Sequence, residues 1–119
     1  MILGTGIDLV FIPRFEKITR KWEDRFLDRV FTRAEKDICL RRANPAASLA
    51  ARFAAKEAFF KAAHIRRLSW KDIEIINGSD GRPSFRLSGE ASRMHGSHNI
   101  VLSLSHDGDY AAAQVTIEE

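Results

Sequence analysis

A chain of 119 residues holds one ordinary domain, and its 45% hydrophobic and 29% charged content suits a core beneath a charged surface. No apolar run nears the roughly 18 residues of a membrane span, the first residues lack the pattern of a secretion signal, and the lone Cys39 excludes an intrachain disulfide, which together predict a cytoplasmic protein. The net charge of +3 is uneven: residues 1–67 hold fifteen Lys/Arg against eight Asp/Glu and residues 68–119 four against eight, so one part of the molecule should attract phosphates, nucleic acid or an acidic protein.

Residues 2–12 are apolar on both faces and predict a central strand. Pro13 opens a helix on which Phe15, Ile18, Trp22 and Phe26 form an apolar stripe, with Arg14, Lys17 and Lys21 as a basic stripe beside it. Thr32 and Glu35 have the spacing of a capping box, for a helix that runs to about Arg42 and is broken by Asn44-Pro45. Cys39, with no histidine at i±3 or i±4, reads as a buried, inert thiol. Residues 46–63, rich in alanine, predict the longest helix. Residues 72–77 and 83–88 predict strands joined by the turn Gly78-Ser79-Asp80-Gly81, and residues 89–95 a short helix. A last pair of strands, 99–105 and 110–117, flanks a tight connection at 106–109. Helices early, strands late and no repeat or linker predict one α+β domain over residues 1–119, a mostly antiparallel sheet wrapped around the long alanine-rich helix.

Two acids fit this scheme poorly. Asp8 lies in the middle of the most apolar strand, where aspartate is disfavoured. It shares a strand face with Gly4, Gly6 and Val10, and the glycines leave a groove through which a backbone or a ligand can approach the carboxylate; the alternative is an aspartate capping a loop. Glu57 falls on one helical stripe with Leu49, Phe53 and Phe60. Either it pairs with Lys61 as an ordinary surface pair, or its lost hydration is offset by a cation or a metal. Two isolated carboxylates suit magnesium, which keeps several waters and often bridges to a substrate phosphate. Arg52, Lys56 and Lys61 on the same helix supply phosphate-binding charge, or else form a solvated face. In Ser103-Leu104-Ser105-His106-Asp107, neighbours in sequence cannot fold back into a hydrolase relay, so His106 either donates to a phosphate or caps the turn. The histidines at 64, 95, 98 and 106 make no zinc spacing.

Four blocks in order resemble the bacterial acyl carrier protein synthase family of phosphopantetheinyl transferases: Gly4-x-Gly6-Ile7-Asp8-Leu9-Val10 followed by Arg14; Phe31-Thr32-x-x-Glu35; Arg52-Phe53-Ala54-Ala55-Lys56-Glu57-Ala58-x-x-Lys61-Ala62; and Ser103-Leu104-Ser105-His106 with Tyr110-Ala111-x-Ala113-x-Val115. The resemblance implies the 4'-phosphopantetheinyl transferase fold and transfer of the phosphopantetheine arm of coenzyme A to a serine of apo-acyl carrier protein, in support of fatty acid biosynthesis. It implies that Asp8 and Glu57 bind magnesium, that Lys61 stands near the phosphates, and that Arg52, Lys56 and His106 line the coenzyme A pocket. Gly81-Arg82-Pro83 falls where the family commonly has Gly-Lys-Pro near the nucleotide, so Arg82 keeps the charge and changes its geometry. The family's homotrimers, with active sites between subunits, would answer the limited interior of a chain this small. The stripe of Arg14, Lys17 and Lys21 would then meet the acidic face of the carrier protein. A nucleic-acid-binding domain would explain the basic half but gives no reason for Asp8 and Glu57, and a metal-dependent hydrolase would use the same two acids.

Overall fold

The computed structural model describes residues 1–65 and 68–119. The elements run β1 (Ile2–Phe11), α1 (Ile12–Val30), α2 (Arg33–Leu40), α3 (Pro45–Ala63), a 3₁₀ turn (Trp70–Asp72), β2 (Ile73–Asn77), β3 (Pro83–Leu87), α4 (Gly89–His95), β4 (Asn99–Asp107) and β5 (Tyr110–Glu118). This is the expected α+β order. Among the described residues, no helix is long and apolar enough to cross a membrane.

The fold is assembled around α3. Asn44 caps it by accepting the Ala47 amide at 3.2 Å, and Pro45 stands in its first turn, where a missing N–H costs nothing. Ala50, Ala54, Ala55 and Ala58 have no exposed surface at all. Small side chains here let the sheet approach the helix closely, and β1 comes closest. A Cβ placed on Gly4 would lie 2.0 Å from the Ala62 carbonyl oxygen, and one on Gly6 2.0 Å from that of Ala58. Of the two visitors expected in the glycine groove, it is therefore helix backbone that fills it.

The main sheet is antiparallel in the order β1-β5-β4, and β2-β3 forms a separate hairpin sheet. The expectation of a central opening strand is corrected: β5 is central and β1 is an edge strand. Its apolarity on both faces has two different causes. Gly4, Gly6, Asp8 and Val10 face α3, whereas Leu3, Ile7 and Leu9 point outward and are 41%, 67% and 64% exposed. Val101 and Tyr110 extend the same bare face across β4 and β5.

Thr32 and Glu35 form the expected capping box, with reciprocal bonds of 3.2 Å and 2.8 Å. Glu35 does more than cap. Fully buried, it also accepts the Lys56 ammonium at 2.8 Å and the Ile75 amide at 2.9 Å. Lys56 gives its other two protons to the carbonyls of Val30 at 2.7 Å and Trp70 at 2.9 Å. Burial pulls the Lys56 ammonium below its ordinary pKa, against the opposing pull of Glu35. One ion pair thus joins α1, α2, α3, the 3₁₀ turn and β2. In α1, Phe15 is buried beside Phe26 and Phe53, whereas Trp22 is half exposed.

Candidate active site

The inward face of β1 and the solvent end of α3 bring Asp8, Glu57 and Lys61 together. The Lys61 ammonium donates to Asp8 Oδ1 at 3.2 Å and to the Ile7 carbonyl at 2.9 Å. The surface pair between Glu57 and Lys61, the plain alternative for Glu57, is replaced by this bond across to β1. Burial pushes the Glu57 carboxyl above its ordinary pKa, the charge of Asp8 adds to the rise, and Lys61 partly opposes it. Two carboxylates that repel one another, one of them driven toward its neutral form, suit a small hard cation that would relieve both effects. Among the described residues no third His, Cys, Asp or Glu joins a metal-binding group, so a cation there would take its remaining oxygens from water or substrate. Because Lys61 is more than half exposed, its pair with Asp8 adds little stability and leaves the ammonium within reach of a ligand.

Glu57 stands on the wall between two depressions. One is lined by Asp8, Arg14, Phe15, Ile18 and Phe53. The other, of about 570 Å³, is lined by Phe60, Lys61, His64, Ile65, Leu68 and Trp70. The first opens toward the basic face of α1, where Arg14 lies over the Phe11 ring at 5.7 Å and Lys21 over Trp22 at 5.6 Å. Lys17 is exposed on the same helix, and Arg25, not singled out from the sequence, flanks Lys21 and Trp22 in a shallow groove.

A separate cationic cleft lies on the other side of α3. Arg52, Arg42, Gly81, Arg82 and Pro83 line it together with β4 residues 100–104. A contiguous hollow adds Ser48, Ser105 and His106. Arg52 is 3% exposed, yet among the described residues its Nε and Nη2 have no partner, and only Nη1 reaches Ser48 Oγ, at 3.5 Å. A buried guanidinium with idle donors is costly unless an anion completes it. Arg42, which the sequence reading did not single out, lies just past α2 and lines the same cleft as Arg52.

The sequence-predicted residues therefore fall into two clusters. Asp8, Glu57, Lys61 and Arg14 form one; Arg52, Gly81, Arg82, Pro83 and His106 form the other. The clusters share no lining residue, and at about 100° per residue Arg52 and Glu57 point to opposite sides of α3. Lys56 belongs to neither. Its expected place in the coenzyme A pocket is corrected, because it has no exposed surface and all three of its protons are engaged in the core. Ser103, Ser105 and His106 lie along extended β4, which rules out a local relay, as the sequence reading held.

Known proteins match this chain in both sequence and fold. The family model of the 4'-phosphopantetheinyl transferase superfamily matches residues 4–115. The holo-[acyl-carrier-protein] synthase of Geobacter metallireducens is 44% identical, over 99% of this chain and 98% of its own. The crystal structure of the Neisseria meningitidis holo-[acyl-carrier-protein] synthase superposes with a TM-score of 0.89 at 32% identity, over the whole of both chains. The Helicobacter pylori enzyme in complex with coenzyme A gives a TM-score of 0.84 at 32% identity, over 96% of this chain and 99% of that one. Sequence blocks, fold and full-length relatives agree, and the chain belongs to the 4'-phosphopantetheinyl transferase superfamily.

Proposed function

We propose that the protein is a holo-[acyl carrier protein] synthase, transferring 4'-phosphopantetheine from coenzyme A to a serine of apo-acyl carrier protein. The observation that carries this reading is the meeting of Asp8, Glu57 and Lys61 across β1 and α3, in a chain 44% identical over its length to a holo-[acyl-carrier-protein] synthase. The serine Oγ forms a bond to the phosphorus that bears pantetheine, and the bond from that phosphorus to the bridging oxygen breaks, releasing adenosine 3',5'-bisphosphate. Lys61 supports the oxygen that departs, and the serine proton passes to a water held at Glu57. Such a transfer depends mainly on positioning and electrostatics.

Asp8 and Glu57 are the residues that would hold magnesium, and their hard, mutually repelling oxygens fit it. When bound, the ion neutralises charge on the pyrophosphate. Arg52, Gly81, Arg82, Pro83 and His106, joined by Arg42, would hold the bisphosphate end of the coenzyme, and Arg52's idle donors supply the reason. That end lies away from the acids within one protomer, so a neighbouring protomer has to complete the site. The bare apolar face of Leu3, Ile7, Leu9 and Val101 supports a homotrimer that brings the two clusters together. Arg14, Lys17 and Lys21 would dock the acidic carrier protein beside the acids. This chemistry belongs to cytoplasmic fatty acid biosynthesis.

The test is mass spectrometry of an apo-acyl carrier protein incubated with the chain, coenzyme A and magnesium. A gain of one phosphopantetheine group is expected, and an unchanged carrier mass overturns the assignment. Release of adenosine bisphosphate without carrier protein would point instead to a hydrolase.

A further inference from the structure

The solvent end of α3 closes on a left-handed residue that is not glycine. His64 has φ 57° and ψ 35°, and among the described residues it alone holds a positive φ without being glycine. This conformation is unfavourable for an L-residue, and the position just past a helix usually goes to glycine or asparagine. Strain of this kind persists where the side chain is needed. The His64 side chain is exposed and lines the same pocket as Glu57 and Lys61.

The electrostatics of that end indicate what the side chain would meet. A helix C-terminus presents carbonyl oxygens and repels anions. Here the carbonyls of Phe60 and Lys61 accept the amides of Ile65 and His64. A phosphate can settle there only where N–H donors outweigh the carbonyls. Lys61 already directs two of its protons to Ile7 and Asp8, which leaves one. The imidazole, one turn further on in the same pocket, offers a further N–H donor.

We propose that His64 is a coenzyme-binding residue whose imidazole N–H donates to a phosphate oxygen of the coenzyme A pyrophosphate beside Lys61. The inference rests on the transferase reading above and adds to it a ligand contact held at the cost of a strained backbone.

The experiment is titration calorimetry of coenzyme A with magnesium, without carrier protein, on the unaltered chain, His64→Gly and His64→Asn, each checked by thermal melting. Glycine adopts the left-handed conformation freely, so His64→Gly should melt a few degrees higher. Its dissociation constant for coenzyme A should nonetheless rise about tenfold, the loss of one charge-assisted hydrogen bond. His64→Asn, which tolerates the same conformation and keeps an N–H donor, should recover most of that affinity. An unchanged dissociation constant in His64→Gly overturns the proposal, as does equal weakening in His64→Asn. So does a defect seen only in the Michaelis constant for carrier protein, which would place His64 against the partner. Transfer by the unaltered chain is scored separately, so the transferase reading and this contact can fail independently.

Discussion

Lys56 and Lys61 stand five residues apart on one helix and do opposite things. Lys56 turns into the core, where Glu35 and two carbonyls take every proton it has, and with Glu35 it forms a strut among five elements. Lys61 turns to the rim, where a half-exposed bond to Asp8 holds it loosely beside Glu57. The same side chain is locked in place where water is excluded and left accessible to a ligand where water enters. Burial makes an ion pair indispensable to its surroundings, and exposure leaves one free to exchange partners.

The comparison breaks most visibly at the strut. Lys56→Met should destabilise the protein by about 3–5 kcal/mol, since Glu35 is left as a buried charge without its partner; denaturant melts read this directly. Coenzyme A affinity of the folded fraction should stay near that of the unaltered chain, and a selective loss of affinity would restore Lys56 to the coenzyme pocket. At the rim the pattern reverses. Asp8→Ala and Glu57→Gln should each lower transfer about a thousandfold, about 4 kcal/mol in barrier height, without lowering the melting temperature. Near-normal turnover in both would remove the acids from the mechanism.

Arg52→Leu sharpens the contrast, because this guanidinium is buried like Lys56 but incomplete. The variant should be as stable as the unaltered chain or more so, by about 1–2 kcal/mol, with coenzyme A bound at least about tenfold more weakly. A loss of stability would show that Arg52 has protein partners beyond Ser48. Arg14→Glu should raise the Michaelis constant for carrier protein several-fold and leave that for coenzyme A alone. The smallest effect concerns Glu74. Burial alone would raise its carboxyl, but hydrogen bonds from Thr32 and Arg86, with the charges of Arg86 and Lys56, hold it below its ordinary value of 4.5. A carboxyl lowered on folding adds stability that is complete above its unfolded pKa and is lost as pH falls through the folded one. Stability should therefore drop below about pH 4.5, and Glu74→Gln should flatten that part of the curve in pH-dependent melts.

Much of this was legible in advance because local rules govern it. The capping box at Thr32 and the break at Asn44-Pro45 each depend on neighbours in sequence, and the groove left by Gly4 and Gly6 was visible although its occupant was not. Asp8 and Glu57 stood out because a carboxylate on an apolar face violates the pattern of its own element. What the sequence concealed depends on contacts between elements. Lys56 sits next to Glu57 in the chain, and nothing local says that Glu35 arrives from α2 to claim it. Arg42 looked like the frayed end of a helix, yet it lines the same cleft as Arg52. The edge position of β1 was hidden because apolar side chains read alike whether they face a helix or lie bare.

The seating of Gly4 and Gly6 against the carbonyls of Ala62 and Ala58 has a mechanical consequence. Main chain abuts main chain there, so the span from Asp8 to Lys61 is gauged by a spacer of fixed thickness, with no side chain in it to exchange. Large parts of the interior could be replaced over evolutionary time, or by design, and Asp8 and Lys61 would keep their separation as long as those two positions stayed bare.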